Sequence, residues 1–317
     1  MYMREEHHPE GFIAIADLGT NTFHLLIAKP GNPFQVVVDE KVFVGLGKGG
    51  IEKGHITEEA MQRALHCMEE FNHTCQTWKV QRCLAIGTSA MRSAKNGQHL
   101  ADLIQERTNF EVRIIQGEEE AALIYEGVKA SGVLSSQPSL VVDIGGGSVE
   151  FIIGTSQEIF WKRSFEIGGL RLMEKFQAHD PMMPEEMQRL ERYLIMELKP
   201  LQEALTPYRP VALVGSSGAF DTLIEMELAY RKFSYSLLDR TFHELDMKSF
   251  QRMKQELLQK NKTERLAIPG MIPLRVDMIV VAVQLIDVLL RIGSFSQLQA
   301  CRYALKEGAL NTLPPKT

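Results

Sequence analysis

The chain has 317 residues, 44% hydrophobic and 24% charged, ordinary globular proportions with enough length for two separate cores. A formal net charge of -5 argues against a general nucleic-acid binder, so an anionic ligand would need a local set of donors rather than bulk attraction. Four cysteines (Cys67, Cys75, Cys83, Cys301) lack CxxC spacing, which argues against a zinc site and a disulfide framework.

The opening MYMREEHHPE is polar and acidic, unlike a signal peptide, and sets the expectation of a cytoplasmic protein. From Phe12 to Val44 the runs FIAIAD, TFHLLIA and QVVVDEKVFV predict a meander of strands. At Thr57 the period changes: Met61, Leu65, Met68 and Phe71 recur at helical spacing behind a Thr57 N-cap and two glutamates. A strand at 83–87, a helix near 97–107, a strand at 111–115 and a helix opening at Glu118 follow. After SGVLSSQPS the strand-rich pattern restarts with SLVVDI, SVEFIIG and EIFWKRSF. Pro184 to Leu205 reads as one long helix, with Met187, Leu190, Leu194, Leu198 and Leu201 on one stripe. A strand at 211–214, helices near 219–229 and 246–260, and a buried helix from about Arg275, closed by Gly293, complete the pattern. The apolar stretch Met278–Leu290 is 13 residues long and contains Gln284 and Asp287, too short for a membrane span. His7, His8, His24 and His55 form no ligand spacing and are read as surface or satisfied core residues.

DLGTNTFHLLIA begins at Asp17 and DIGGGSVEFIIG at Asp143, and the two align without gaps, aspartate on aspartate, glycine on glycine and Thr22 on Ser148. A duplication of two lobes, each offering one hairpin to a shared cleft, accounts for this. In the first hairpin Gly19, Thr20, Asn21 and Thr22 expose amides and hydroxyls with little bulk in the way. Gly145, Gly146, Gly147 and Ser148 do so more openly in the second, and consecutive amides in such turns form an anion nest. An aspartate beside that nest repels phosphate unless a cation stands between them. Asp17 and Asp143 therefore imply a hard divalent ion, magnesium or its substitute manganese, with Glu150 in reach on the returning strand. GTSAMR adds Thr88, Ser89 and Arg92 as hydroxyl and guanidinium partners for phosphate oxygens. GSSG, Gly215, Ser216, Ser217 and Gly218, sits at a strand-to-helix turn suited to an anion. Three carboxylates in GEEEA open a helix, where acids also answer the macrodipole.

Together the runs DLGTNTFHLLIA, GTSAMRSAKN, IIQGEEEAALIYEGV, DIGGGSVEF, IGGLRL, GSSG and PGMIPLRVDMI resemble the exopolyphosphatase/guanosine pentaphosphate phosphohydrolase family, in their expected order over nearly the whole chain. The resemblance implies an α/β fold of two duplicated actin-like (ribonuclease H-like) lobes. Each would be a mixed five-stranded sheet flanked by helices, with the active site in the interdomain cleft and a C-terminal helix crossing back. Lobe I would take 1–126 plus about 303–317, and lobe II 127–302. The resemblance places the catalytic base on Glu120, a metal on Asp143 and Glu150, and phosphate contacts on Asn21, Thr22, Arg92 and Gly145 to Ser148. The chain departs from the family's motif at Gln116 and Ala122, which puts the substrate contacts around Glu120 in question.

The expected reaction is hydrolysis of the terminal phosphoanhydride of inorganic polyphosphate, with guanosine pentaphosphate as the alternative substrate. A small-metabolite kinase or a non-catalytic actin-like nucleotide-binding protein are the rivals from other classes. Arg163, Arg171, Lys175 and Arg275 are candidates for a basic groove, no nucleic acid or membrane partner is expected, and a homodimer is the expected assembly.

Overall fold

The computed structural model describes residues 11–31, 33–232 and 240–312. His7, His8 and the last five residues assigned to lobe I lie outside the described residues. The first sheet is built from β1 (Ile13–Leu18), β2 (Thr22–Lys29), β3 (Gln35–Phe43), β4 (Arg82–Gly87) and β5 (Glu111–Ile114), in the order β3-β2-β1-β4-β5. β1 to β3 form an antiparallel meander, and β4 and β5 run parallel to β1. Those parallel steps require crossovers. α1 (Glu58–Thr77) supplies the first, and the short α2 (Ser89–Ser93) and α3 (Gly97–Arg107) supply the second. Thr57 caps α1 by accepting from the Ala60 amide at 3.3 Å, and Met61, Leu65, Met68 and Phe71 form its buried stripe.

The second sheet contains β6 (Ser139–Ile144), β7 (Val149–Gly154), β8 (Ile159–Phe165), β9 (Ala212–Ser216), β10 (Phe242–Glu244) and β11 (Gln297–Cys301), ordered β10-β11-β9-β6-β7-β8. Read as β8-β7-β6-β9-β11, it repeats the first sheet strand for strand. β10 is an antiparallel addition to β11, so this sheet is one strand wider than the five-stranded expectation. Every residue of β6 and β7 is buried, as expected of central strands covered on both faces.

Around this sheet lie α5 (Gly169–Phe176), α6 (Pro184–Glu197), α7 (Lys199–Tyr208), α8 (Gly218–Arg231), α9 (Met247–Gln259), α10 (Lys262–Leu266) and α11 (Ile279–Ile292). The single helix expected over Pro184–Leu205 is two, broken at Leu198, because Pro200 has no amide to continue the ladder and is accommodated only in the first turn of a new helix. The buried helix expected from Arg275 begins at Ile279, after a 3-10 turn at Pro273–Arg275, and ends at Gly293 as read from the sequence.

Two helices lie between the sheets. α4 (Gly117–Ala130) follows β5, and α12 (Leu305–Thr312) follows β11. Their apolar residues Ala121, Ile124, Val128, Leu305 and Ala309 join Ile15, Leu84 and Ile86 of the first sheet to Val141, Ile152 and Val214 of the second in one core. Each sheet also has its own core on the far side. Among the described residues no helix is long and apolar enough to cross a membrane.

Candidate active site

A cavity of about 370 Å³ opens between the sheets where the two hairpins meet. The register explains the meeting. Across lobe I, Asp17 pairs with His24, which pairs with Lys41. Across lobe II, Asp143 pairs with Glu150, which pairs with Ser164. The duplication thus sets His24 where the second lobe has Glu150.

Both glycine turns are closed in the same way. A Cβ on Gly19 would lie 2.8 Å from the Thr22 carbonyl oxygen, and one on Gly145 would lie 2.9 Å from that of Ser148. The amides of Gly168, Gly169 and Leu170 donate to the carbonyls of Gly147, Gly145 and Gly146, which ties the loop's carbonyl edge to α5. In lobe I the amides of Val44 and Gly45 do this for Asn21, and that of Gly47 for Thr20. The loops then touch each other. A Cβ on Gly147 would lie 2.5 Å from Ser89 Oγ and 2.6 Å from Thr20 Oγ1, so this approach requires glycine.

Asp17, Gly19 to Thr22, Thr88, Ser89, Glu120, Asp143, Gly145 to Ser148, Glu150 and Ser217 line the cavity. Four residues expected there do not. Gly215 packs against the Phe220 ring and Gly218 against the Arg275 guanidinium. Ser216 is buried behind Asp143, donating to its Oδ2 at 2.8 Å. Arg92 lies behind Glu120, donating from Nη1 to Glu120 Oε2 at 2.7 Å and from Nη2 to Glu166 Oε1 at 3.2 Å.

Of the three acids opening α4, only Glu120 is buried. Glu118 and Glu119 are exposed, and Glu119 pairs with Arg113. Burial pushes the Glu120 carboxyl up to about 7 even though the Arg92 charge pulls it down, with Asp143 and Glu166 adding repulsion. Burial, then the charges of Glu120 and Asp143, push Asp17 up to about 8. Glu150 rises well above the usual range for the same reasons. Asp143 is raised by burial, opposed first by the hydrogen bond from Ser216.

This is an excess of hard oxygen donors whose mutual repulsion a divalent cation would offset, so the residues fit magnesium or manganese. Among the described residues no three ligands converge into a ready-made cage. Magnesium is commonly held by one or two carboxylates plus substrate phosphates and water, which asks for less.

Another part of the cavity wall was hardly marked in the sequence. Lys41, Arg275 and Lys306 bring positive charge there, with Asp221 3.9 Å from Lys41. Lys41 is pushed down to about 8, by burial first and then by the Arg275 charge. His24 Nε2 and Arg275 Nε are buried without a hydrogen-bond partner within the described chain. Of the four proposed groove residues only Arg275 reaches the cavity. Arg163 lies over the Phe165 ring, Lys175 over Tyr193, and Arg171 bonds Gly147 and Glu166. Lys41, Asp221 and Lys306 come from β3, α8 and α12, and no local pattern signals that these elements converge.

Paired hairpins of this topology, facing each other across a cleft, define a two-lobed actin-like protein of the phosphate-handling kind. The model of the Ppx/GppA phosphatase family matches residues 26–316, and the chain belongs to that family. The fold is similar to that of an exopolyphosphatase from Cytophaga hutchinsonii, with 44% identity, a TM-score of 0.92, and coverage of 96% of this chain and 100% of that one. A Ppx/GppA family member from Aquifex aeolicus is 24% identical with a TM-score of 0.79, covering 95% of this chain and 97% of the other. An exopolyphosphatase-like protein is 22% identical with a TM-score of 0.84 and coverage of 95% and 98%.

Proposed function

We propose that the protein is an exopolyphosphatase, hydrolysing the terminal phosphoanhydride of inorganic polyphosphate and releasing orthophosphate. The observation that carries this reading is Glu120, a buried carboxylate poised near neutral pH and facing glycine-rich loops from both lobes. The similarity to the Cytophaga hutchinsonii exopolyphosphatase supports the choice of substrate.

Under this reading the amides of Gly145 to Ser148, with the loop from Gly19 to Thr22 and the hydroxyls of Thr88 and Ser89, hold the terminal phosphoryl group. Asp143 and Glu150 hold the divalent ion, magnesium or manganese, which when bound offsets charge on the non-bridging oxygens. Asp17, across the cleft, meets the phosphoryl group through water on the lobe I side. Glu120 orients the attacking water and takes its proton as the new P–O bond forms and the bridging P–O bond breaks. The chain leaves one phosphate shorter. Arg92 keeps Glu120 aimed and, sharing the Glu166 carboxylate with the cavity-lining Ser89, meets the phosphoryl group at the edge of the cavity in this reading. Ser216 steadies Asp143, while Gly215 and Gly218 shape the turn before α8 without touching substrate.

The alternative reading is removal of the 5'-terminal phosphate of guanosine pentaphosphate. Lys41, Arg275 and Lys306 on the cavity wall would meet the negative charge of either substrate. We also place the lobe boundaries at the two crossings, near 126/127 and 302/303, where α4 and α12 leave one sheet for the other. A homodimer and a cytoplasmic setting are part of the proposal, and the four free cysteines agree with a reducing compartment. Size-exclusion chromatography with light scattering tests the dimer.

Phosphate release from polyphosphate and from guanosine pentaphosphate, measured side by side with and without magnesium, tests the whole reading. Magnesium-dependent release from polyphosphate that Glu120→Gln lowers about 100-fold or more supports it. Release from the nucleotide alone selects the alternative. If Glu120→Gln, correctly folded, keeps more than about a tenth of the activity, Glu120 is not the base.

A further inference from the structure

Glu166 directly follows β8 in lobe II, and its carboxylate reaches across to Ser89, which lines the cavity. Its Oε2 accepts from Ser89 Oγ at 2.9 Å and from Arg171 Nη2 at 3.0 Å, and its Oε1 accepts from Arg92 Nη2 at 3.2 Å. Ser89 and Arg92 belong to lobe I and Arg171 to lobe II. Three donors, two of them guanidinium forks, converge on one anion, the arrangement that phosphoryl oxygens also favour.

We infer that Glu166 is an internal anion that occupies the Ser89, Arg92 and Arg171 donors and is displaced when the phosphoryl group of the substrate arrives. The inference rests on the reading in which Ser89 and Arg92 face that group. Arg92 already serves two carboxylates, Glu120 and Glu166. A phosphoryl group added beside both would leave one guanidinium facing three anions. One carboxylate must yield, and exposure decides which. The Glu120 side chain is 9% exposed and fixed in the first turn of α4, whereas that of Glu166 is 48% exposed and has water to swing into.

The donors would keep their places after it left. Arg171 retains bonds to the Gly147 carbonyl at 2.9 Å, the Ser93 hydroxyl at 3.3 Å and the Ile51 carbonyl at 3.4 Å. Arg92 retains Glu120 and the Ile115 carbonyl. Glu166 is therefore a competitor for the site and not its scaffold. In the cleft without substrate Glu166 occupies these donors, and weak anions would be screened out.

The test uses inorganic phosphate as the probe, titrated by calorimetry into the magnesium-loaded protein, alongside steady-state kinetics on polyphosphate. Glu166→Gln keeps the shape and removes the charge, and Glu166→Ala removes the side chain. Both are expected to bind phosphate about three- to fivefold more tightly, the range for a partly exposed ion pair. KM should fall by a similar factor while kcat stays within about twofold of wild type. A scaffold role predicts the opposite, weaker phosphate binding and a lower kcat. Unchanged or weaker phosphate binding in both variants overturns the inference. Arg92→Lys separates this from failure of the underlying reading. If that variant binds phosphate as wild type does, Arg92 does not face the phosphoryl group, and the inference falls with that reading. If it binds more weakly while the Glu166 variants show no gain, only the role of Glu166 is wrong.

Discussion

Gly127 of α4 and Gly308 of α12 bring the two inter-sheet helices into backbone contact. A Cβ on Gly127 would strike the Ala304 carbonyl oxygen, and one on Gly308 would strike that of Leu123. Neither obstacle is a flexible side-chain end that could move aside. The same two helices carry Glu120 and Lys306 to the cavity wall, so the closeness of the crossing sets the distance between those groups. Gly308→Ala should lower stability by about 2–3 kcal/mol in a urea titration, through overpacking that only separation of the helices relieves. It should also reduce turnover in the fraction that remains folded, because Glu120 shifts with α4. A wild-type midpoint for this variant would mean that the crossing is looser than its geometry indicates.

The pH dependence of turnover follows from Glu120. A general base must be ionised, and this carboxyl is pushed up to about 7 by burial, against the pull of Arg92. kcat/KM should therefore fall as pH drops through about 7 rather than through the usual carboxylate range near 4. Arg92 favours the charged form, so Arg92→Gln should move that limb to higher pH as well as lower the rate. Asp143 and Glu166 act in the other direction, and neutralising Glu166 should move the limb slightly down. A limb that stays in place in Arg92→Gln would show that another group controls it.

Much of this frame could be read from residue order. The repeat at Asp17 and Asp143 foretold the pseudo-symmetric sheets, because an ungapped strand–turn–strand match fixes both hairpins and their register. GEEEA foretold a helix start but not which acid would be buried. That depends on α4 packing between two sheets, which turns Glu120 inward and leaves Glu118 and Glu119 in water. Arg92 was legible as a residue near the site but not as a partner of Glu120 and Glu166. The Arg92–Glu120 pair, 28 positions apart, needs α4 packed against lobe I, and the Arg92–Glu166 pair, 74 apart, needs the lobes docked. β10 and β11 escaped because FHE and QLQAC are too short and too polar to alternate clearly.

Asp17 links the site to stability. Its folded carboxyl is pushed up to about 8, from an ordinary 3.8, by burial and then by Glu120 and Asp143. For a carboxyl raised in the folded state, the native protein holds the proton over a range where the unfolded chain has released it. The resulting penalty is absent below about pH 4, grows as pH rises, and is complete above about pH 8. Asp17→Asn removes the charge and should stabilise the protein at pH 8.5 by up to about 5 kcal/mol, the linkage equivalent of the full shift, with almost no gain at pH 4. Thermal melts in chelator at both pH values check this. Added magnesium should narrow the difference at high pH, because a cation relieves the same repulsion. An equal gain at both pH values would trace the effect to packing instead of charge.

Ser217 holds the GSSG turn in a backbone conformation that favours glycine, with φ 66° and ψ -175°. A serine there bears strain of about 1–3 kcal/mol, and such strain persists where the surroundings impose it, often at a functional loop. Its hydroxyl recovers part of this by donating to the Ile144 carbonyl at 3.1 Å, one residue beyond Asp143. The two contributions separate by substitution. Ser217→Ala loses the hydrogen bond and keeps the strain, so it should be destabilised by about 1 kcal/mol. Ser217→Gly loses the same bond but relieves the strain, and should be more stable than the alanine variant by about 1 kcal/mol or more, even after glycine's larger unfolded-state entropy. Paired denaturant titrations measure the difference directly. Should the alanine variant prove the more stable of the two, the conformation is not strained, and the turn is held by its hydrogen bond alone.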